Sequence, residues 1–160
     1  MDMDGTITEG RYLEPPRTRE MYMGLALYDE DTVRVWNKIS TKHEMYIMTA
    51  RSDYRADQMI FDYLYDYGMV PPTAILTGIP QPAKWYLASQ LGCDLMVDDS
   101  PNVAETVYDR KPAFLLMQND HWKKSREHEP YPYIQRIKSW KELGETIETY
   151  NNRESYQRSV

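Results

Sequence analysis

The sequence predicts a three-layer α/β sandwich, in which helices cover both faces of a mainly parallel sheet. Short apolar runs alternate with longer stretches of helical periodicity, as in sheets with crossover helices. The chain has 160 residues, of which 41% are hydrophobic, so it is the size of one domain with a core rather than two. We expect a single domain over residues 1–150, with a flap or minimal cap at 7–30 and a polar C-terminal tail at 151–160.

The first half of the chain predicts a flap, a helix, a strand and a second helix. Glycine and proline interrupt residues 7–30, and a connection of this length is typical of a functional loop. Asp31 is placed to cap the first helix and Gly68 to end the second. The predicted elements are a helix over 31–40, a strand over 45–48 ending at Thr49, and a helix over 54–67. We expect the tyrosines of the helix over 54–67 to pack in the core and on the surface rather than to stack on a base.

The second half repeats the alternation of strand and helix. Gly92 is placed to end one helix, Pro101 to begin the next, and Ser139 to cap the last. The predicted elements are strands over 74–76, 95–97, 113–117 and 133–137, helices over 83–91, 101–108 and 139–150, and a loop over 118–132.

Composition excludes several classes of protein. The net charge of −6 provides no general basic field for nucleic acid, so strong nucleic-acid binding is not expected. A single cysteine, Cys93, excludes a disulfide framework and a cysteine-based zinc site, and it is typical of a reducing compartment. No apolar run approaches the ~18 residues of a membrane span, and the first residues lack the pattern of a secretory leader. We therefore expect a cytoplasmic protein without a membrane partner; its oligomeric state stays open.

Polar side chains lie at the end of four predicted strands or shortly after that end. Because ligands of open α/β sheets bind beyond the carboxyl ends of the strands, these side chains are expected to meet at one edge of the sheet. Only Met1 precedes the first acidic pair, so we expect either a very short first strand or a chain truncated at its start. The side chains are Asp2 and Asp4, Thr49, Lys84 at the start of its helix, and Asp98 with Asp99.

Two acidic pairs suggest a metal site. Asp2 and Asp4 are two residues apart and would share one face of a strand. Two close carboxylates imply either a cation or a shared proton. With Asp98 and Asp99 the set offers four hard oxygen donors and no nearby histidine or cysteine, which favours Mg²⁺ over zinc or copper. Taken alone, each motif has a plain structural explanation, such as a solvated chain end or a capped helix start.

The order of these motifs resembles the haloacid dehalogenase-like (HAD) phosphohydrolase superfamily. The pattern is D-x-D-G-T at 2–6, threonine at a strand end, lysine at a helix start, and then D-D. The resemblance implies that Asp2 is the nucleophile that forms an aspartyl-phosphate and that Asp4 is the general acid and then the base. It also implies that Thr49 and Lys84 hold the phosphoryl oxygens. Asp98, helped by Asp99, would bind Mg²⁺ together with the Asp2 carboxylate and the Asp4 backbone carbonyl.

Further residues resemble the 5'-deoxyribonucleotidase branch of that superfamily. They are Thr49-Ala50-Arg51, the run from Val97 to Asn102, and the run from Arg136 to Trp140. This resemblance implies a 5'-nucleotidase acting on (deoxy)nucleoside monophosphates, with Ala50 and Arg51 added to the phosphate-binding residues. From the residues alone, Arg51 is equally suited to a substrate phosphate and to a neighbouring acid. The chain has no cap-sized insert, so base contacts are expected from Tyr12 and Tyr22 in the flap.

Two other functions are considered. An uncapped site suits a HAD phosphatase for nucleic-acid ends or another bulky phosphorylated substrate, which would supply its own lid. A non-catalytic HAD-fold binding module would have lost a catalytic carboxylate, and none is missing. In a response-regulator receiver the acidic pair precedes a single phosphoacceptor Asp, whereas here a second acidic pair comes last, so this class is excluded. A dinucleotide-binding domain is excluded because no G-x-G-x-x-G follows a strand. Metal binding by His121 and His128 is not favoured.

Overall fold

A computed structural model describes residues 1–9, 25–118 and 132–158, with side chains described as far as residue 153. Most of the predicted flap and of the loop over 118–132, including Tyr12, Tyr22, His121 and His128, therefore lies outside the described residues. None of the helices in the described ranges is both long and apolar enough to cross a membrane. The elements are, in chain order, α1 Thr32–Ser40, β1 Tyr46–Met48, α2 Ala56–Asp66, β2 Ala74–Leu76, α3 Gln81–Gln90, β3 Leu95–Asp98, α4 Pro101–Ala104, β4 Ala113–Met117, β5 Ile134–Ile137 and α5 Trp140–Arg158.

The strands form parallel pairs, as the alternation predicts. β1 pairs with β2 in a register that places Ile47 opposite Ile75. β3 pairs with β4 and β4 with β5, also in parallel. Parallel neighbours need crossover connections, which α2 provides between β1 and β2 and α4 between β3 and β4. The protein is therefore of the mixed α/β class with parallel sheets, and this part of the fold prediction is confirmed.

The first two residues lie between the two groups of strands. The Met1 amino group donates to the Tyr46 carbonyl at 2.8 Å, and the Met48 amide donates to the Met1 carbonyl at 2.9 Å. On the other side, the Asp2 amide donates to the Val97 carbonyl at 2.9 Å. The order across the molecule is thus β2, β1, the segment Met1–Asp2, β3, β4 and β5. A segment of two residues consequently takes the central place in the sheet.

Helices cover both faces, because alternate strand residues belong to two separate cores. Ile47, Val97 and Leu115 pack in one core with side chains of α1, α2 and α5. Met48, Met96 and Phe114, their neighbours in sequence, pack in a second core with side chains of α3 and α4. This is the alternation that a strand buried on both faces requires.

Three buried tryptophans connect the helices to distant backbone. Trp36 of α1 donates its indole N–H to the Val70 carbonyl at 2.8 Å, and Trp85 of α3 donates to the Pro112 carbonyl at 3.2 Å. Trp140, the first residue of α5, donates to the Thr6 carbonyl at 2.7 Å. Each indole thus satisfies its polar atom while its ring fills a core, which is the usual condition for burying this side chain.

Helix ends differ from the predicted ones for local reasons. The helix predicted to reach residue 108 stops at Ala104, because the Thr106 amide and hydroxyl both bond the Val103 carbonyl, which tightens the chain into a turn. The last helix continues through Arg158, past residue 150 where we expected its end. Ser139 caps it as predicted, since its hydroxyl accepts the Glu142 amide at 3.1 Å.

The predicted cap at Asp31 is wrong. Its side chain makes no capping hydrogen bond and pairs with Arg34 instead, at 2.6 Å. Asp29 does this work two residues earlier: its Oδ1 accepts the Asp31 amide at 3.0 Å and the Thr32 hydroxyl at 3.3 Å. Its Oδ2 accepts the Trp140 amide at 2.9 Å. One carboxylate therefore satisfies the starts of both α1 and α5.

We predict that Asp29→Ala lowers the free energy of unfolding by about 2 kcal/mol, because two helix starts lose their acceptor. Urea denaturation monitored by circular dichroism measures the change. Asp31→Ala is the matched control and should cost less than about 0.5 kcal/mol, since an exposed i,i+3 ion pair contributes little. Equal losses in the two variants would contradict the assignment of the cap to Asp29.

Candidate active site

The predicted side chains converge at the carboxyl edge of the sheet, where the parallel strands end. Asp2 ends the central segment, Thr49 follows β1, and Asp98 ends β3 with Asp99 behind it, while Lys84 reaches the same place from the first turns of α3. Charged side chains are seldom fully buried unless they are paired, so the low exposure of these side chains indicates that they interact with one another. The exposed fractions are 5% for Asp2, 1% for Thr49, 2% for Lys84, 0% for Asp98 and 8% for Asp99.

Lys84 joins the two acidic elements. Its Nζ lies 2.6 Å from Asp2 Oδ1 and 3.0 Å from Asp98 Oδ2. One ammonium group thus holds two carboxylates together, although Lys84 lies 82 positions from Asp2 and 14 from Asp98 in the sequence. The second oxygen of Asp98 accepts the Ser100 amide at 2.8 Å, which fixes the carboxylate at the start of α4.

Three carboxylates lie close enough to share a cation. Asp2, Asp98 and Asp99 each offer an oxygen within 4.8 Å of the others. All the donors are hard oxygen atoms, which suits Mg²⁺ rather than a soft metal. The residues therefore fit the predicted cation. The Asp4 side chain does not belong to this group.

The buried charges alter one another's protonation. Burial, together with the neighbouring Asp98 carboxylate, raises the pKa of Asp2, and Lys84 opposes part of this rise. For Lys84, burial favours the neutral amine, but attraction to Asp2 and Asp98 outweighs it and raises the pKa of the ammonium. The pKa of Asp4 is also raised, because desolvation exceeds the opposing effect of Arg51.

Asp4 lies in a turn and faces a different partner from Asp2. The expectation that both carboxylates share one strand face is wrong, because the chain turns after Asp2 and Gly5 takes a left-handed φ of 81°. Arg51 holds Asp4 with two hydrogen bonds, from Nε to Oδ2 at 2.6 Å and from Nη2 to Oδ1 at 2.7 Å. Of the two roles left open for Arg51, the structure contains the pairing with an acid.

The loop after β1 is anchored at its base. The Arg51 amide donates to Thr49 Oγ1 at 3.2 Å, the Ile79 amide to the Thr49 carbonyl at 3.0 Å, and the Gly78 amide to the Arg51 carbonyl at 2.6 Å. Gly78 has a φ of 66°, which favours glycine at this close approach. Ala50, between the buried Thr49 and Arg51, is exposed. Strand-end and loop residues thus form one rigid wall of the site.

Sequence reasoning missed two polar groups of the site. Ser100 is buried and orients Asp98 through its amide, and the run D-D-S-P carries a signal for it, as a side-chain-capped turn before a helix. Thr6 is fully buried, and its Oγ1 has no hydrogen-bond partner within the described residues. The D-x-D-G-T motif includes this threonine, but nothing in the sequence indicates that its hydroxyl is enclosed.

A groove of about 340 Å³ opens between β1 and β3 at the opposite, amino edge of the sheet. Met1 and Met45 line it, and the side chains of the acidic cluster do not. Size alone would favour this groove as a ligand site. The charged cluster and the chemistry it offers lie at the carboxyl edge, so we place the candidate active site there.

We predict that Lys84→Met lowers the free energy of unfolding at pH 7 by about 3–5 kcal/mol, because Asp2 and Asp98 lose their buried counter-charge. The deficit should shrink as the pH falls toward 4. The pKa of Asp2 is raised in the folded protein, so the stability linked to it is retained at low pH and lost as the pH rises through that pKa. Urea denaturation at several pH values measures both effects.

The double variant Lys84→Met/Asp98→Asn provides the control for this prediction. It removes one carboxylate along with the ammonium and should recover part of the lost stability at pH 7. A single variant as stable as the unaltered protein at every pH, or a double variant less stable than the single one, would show that Lys84 does not neutralise the cluster.

The sequence matches no protein-family model, and no curated protein is significantly similar to it.

Proposed function

We propose that the chain is a Mg²⁺-dependent phosphomonoester hydrolase of the HAD type, with Asp2 as its nucleophile. The observation that carries the proposal is the buried group of Asp2, Lys84 and Asp98, with ion pairs of 2.6 and 3.0 Å at the carboxyl edge of a parallel sheet. These are the residues of the D-x-D-G-T, lysine and D-D motifs, in the HAD order. The proposal includes the finer fold, a HAD-like Rossmannoid sandwich with little or no cap.

In the proposed reaction an Asp2 carboxylate oxygen attacks the phosphorus of a monoester. The bond from phosphorus to the ester oxygen breaks, and the leaving oxygen takes a proton from Asp4. Water then attacks the aspartyl-phosphate and gives a proton to Asp4, so that phosphate leaves and Asp2 is restored. Desolvation raises the pKa of Asp4, which is the direction that favours a proton-donating role.

Lys84 and Thr49 would stabilise the transferred group. Lys84 Nζ is already 2.6 Å from the proposed nucleophile, so its charge lies beside the phosphoryl oxygens once phosphorus is bound to Asp2. Thr49 is buried at the end of β1, the strand next to the segment that carries Asp2, and offers a hydroxyl there. Arg51 positions Asp4 through its two hydrogen bonds. Ala50 lies between Thr49 and Arg51 in the chain.

Asp2, Asp98 and Asp99 would hold the cation. When bound, Mg²⁺ neutralises the substrate phosphate and favours the ionised form of Asp2. Bringing these carboxylates together costs free energy, because they repel one another. Lys84 offsets this repulsion only in part, since the pKa of Asp2 remains raised.

We propose a (deoxy)nucleoside monophosphate as the substrate, which makes the protein a 5'-nucleotidase. This step rests on the T-A-R and D-D-S-P-N runs at the candidate site. A phosphatase for nucleic-acid ends and a binding module without turnover are the alternatives. A Mg²⁺-containing screen of nucleotides, sugar phosphates and phospho-oligonucleotides separates the three, because a binding module would hydrolyse none of them.

We predict that Asp2→Asn reduces phosphatase turnover to background, because an amide does not attack phosphorus. The fold should persist, since the amide oxygen still accepts a hydrogen bond from Lys84. Release of phosphate from the best substrate of the screen measures turnover, and urea denaturation checks the fold. A folded variant with near-unaltered rates would exclude Asp2 as the nucleophile.

We predict that Mg²⁺ stabilises the protein. At ten times its Kd, a ligand adds about 1.4 kcal/mol to the free energy of unfolding, which raises Tm by about 3–6 °C in a chain of this size. Thermal melts with and without Mg²⁺ at matched ionic strength measure the shift. Asp98→Asn should abolish it; an unchanged shift in that variant, or none in the unaltered protein, would contradict the proposed cation site.

A further inference from the structure

An exposed aromatic side chain follows the candidate active site closely in the chain. Tyr54 follows Arg51 by three residues, in the turn that leaves the carboxyl end of β1, and 89% of it is exposed. It is the most exposed of the large hydrophobic side chains in the described ranges. It therefore contributes little to the core, unlike Tyr63 of the following helix, which is fully buried and donates to the Leu25 carbonyl.

The turn that presents Tyr54 is fixed at both ends. The Ala56 amide donates to the Asp53 carbonyl at 3.0 Å, and the Met59 amide to the Arg55 carbonyl at 3.0 Å. Arg55 has a φ of 59°, a left-handed conformation that non-glycine residues seldom adopt. Such strain is retained where the surroundings determine the backbone, and it is frequent at binding sites. The position of Tyr54 is thus set by the fold.

Arg55 adds a cation to this turn. Its guanidinium lies 5.9 Å from the centroid of the Tyr54 ring, within the range of a cation–π contact. The high exposure of the ring leaves it accessible to a planar ligand. An aromatic face beside a guanidinium is suited to a nucleobase, which stacks on both kinds of surface.

Tyr133, which is also exposed, has Arg110 at 5.8 Å from its ring centroid, whereas two other exposed groups pack ring against ring. Phe61 and Tyr65 stack on each other on α2, with centroids 6.5 Å apart, and Tyr108 packs edge-on against Trp85 at 4.7 Å. Tyr54 instead lies in the turn after β1, three residues along the chain from Arg51. Three residues of chain span at most about 10 Å, which is the scale of the distance between phosphate and base in a nucleotide.

We propose that Tyr54 is a specificity-determining residue that stacks on the base of a nucleoside monophosphate whose phosphate occupies the site of Asp2 and Lys84. This inference rests on the proposed phosphatase function and names its substrate class from the described residues. Arg55 supports the ring and supplies positive charge near the nucleotide. The turn thereby performs, in part, the base recognition that a cap would otherwise provide.

Binding to the Asp2→Asn variant tests the inference without turnover. Calorimetry compares thymidine 5'-monophosphate with 2-deoxyribose 5-phosphate, which has the same sugar and phosphate but no base. Tyr54→Ala should raise the Kd of the nucleotide about 5- to 150-fold and leave that of the sugar phosphate within twofold. Tyr54→Trp should keep nucleotide affinity, and Tyr65→Ala, which removes an exposed ring away from the site, should change neither Kd.

The outcomes separate this inference from the function on which it rests. Equal weakening of both ligands by Tyr54→Ala, no effect on either, or equal affinity of the two ligands before substitution would overturn base stacking and leave the phosphatase proposal standing. If neither ligand binds and the unaltered protein hydrolyses no phosphomonoester, both proposals are wrong.

Discussion

The hydrogen bonds of Met1 and Asp2 are the constraint on which the rest of the structure depends. Two residues bridge β1 and β3, through Tyr46 and Met48 on one side and Val97 on the other. This bridge connects the pair of β1 and β2 with the group of β3, β4 and β5, which do not otherwise pair strand to strand. The same segment carries Asp2 to the edge of the sheet, so the continuity of the backbone and the position of the proposed nucleophile have a common origin.

The cluster around Lys84 is a costly arrangement to bury. Burying an ionised group is costly, and replacing a buried ion pair by apolar side chains is often neutral or stabilising. Here Asp2, Asp98 and Lys84 are all at least 95% buried. The fixed charge of this arrangement is what the proposed phosphoryl transfer would require. Burial and the neighbouring Asp98 carboxylate raise the pKa of Asp2, whereas attraction to the two carboxylates raises the pKa of Lys84 against the opposing effect of burial.

Much of the fold could be predicted from the sequence, because its signals are local. The strands over 74–76 and 113–117 have the predicted bounds, since each is an apolar run between turn residues. The cap of α1 could not be assigned, because Asp29 and Asp31 are both plausible by type, and the choice depends on α5, more than a hundred residues away.

The candidate site shows the same division between local and distant information. The topology of parallel strands is enough to bring Asp2, Thr49 and Asp98 to one edge, and motif order points to Lys84. Which carboxylate pairs with which cation is not encoded by spacing. Arg51 takes Asp4 and Lys84 takes Asp2, because the turn at Gly5 directs the two carboxylates to different neighbours.

The indole of Trp140 links the last helix to the turn that carries Asp4, through its hydrogen bond to the Thr6 carbonyl. Every residue of the acidic cluster is synthesised before residue 100, yet this turn gains its buried partner only when Trp140 is added. On the ribosome, the nascent chain would contain all the candidate catalytic groups before this hydrogen bond could form. The turn that carries Asp4 would therefore gain this buried contact late, at the docking of the final helix.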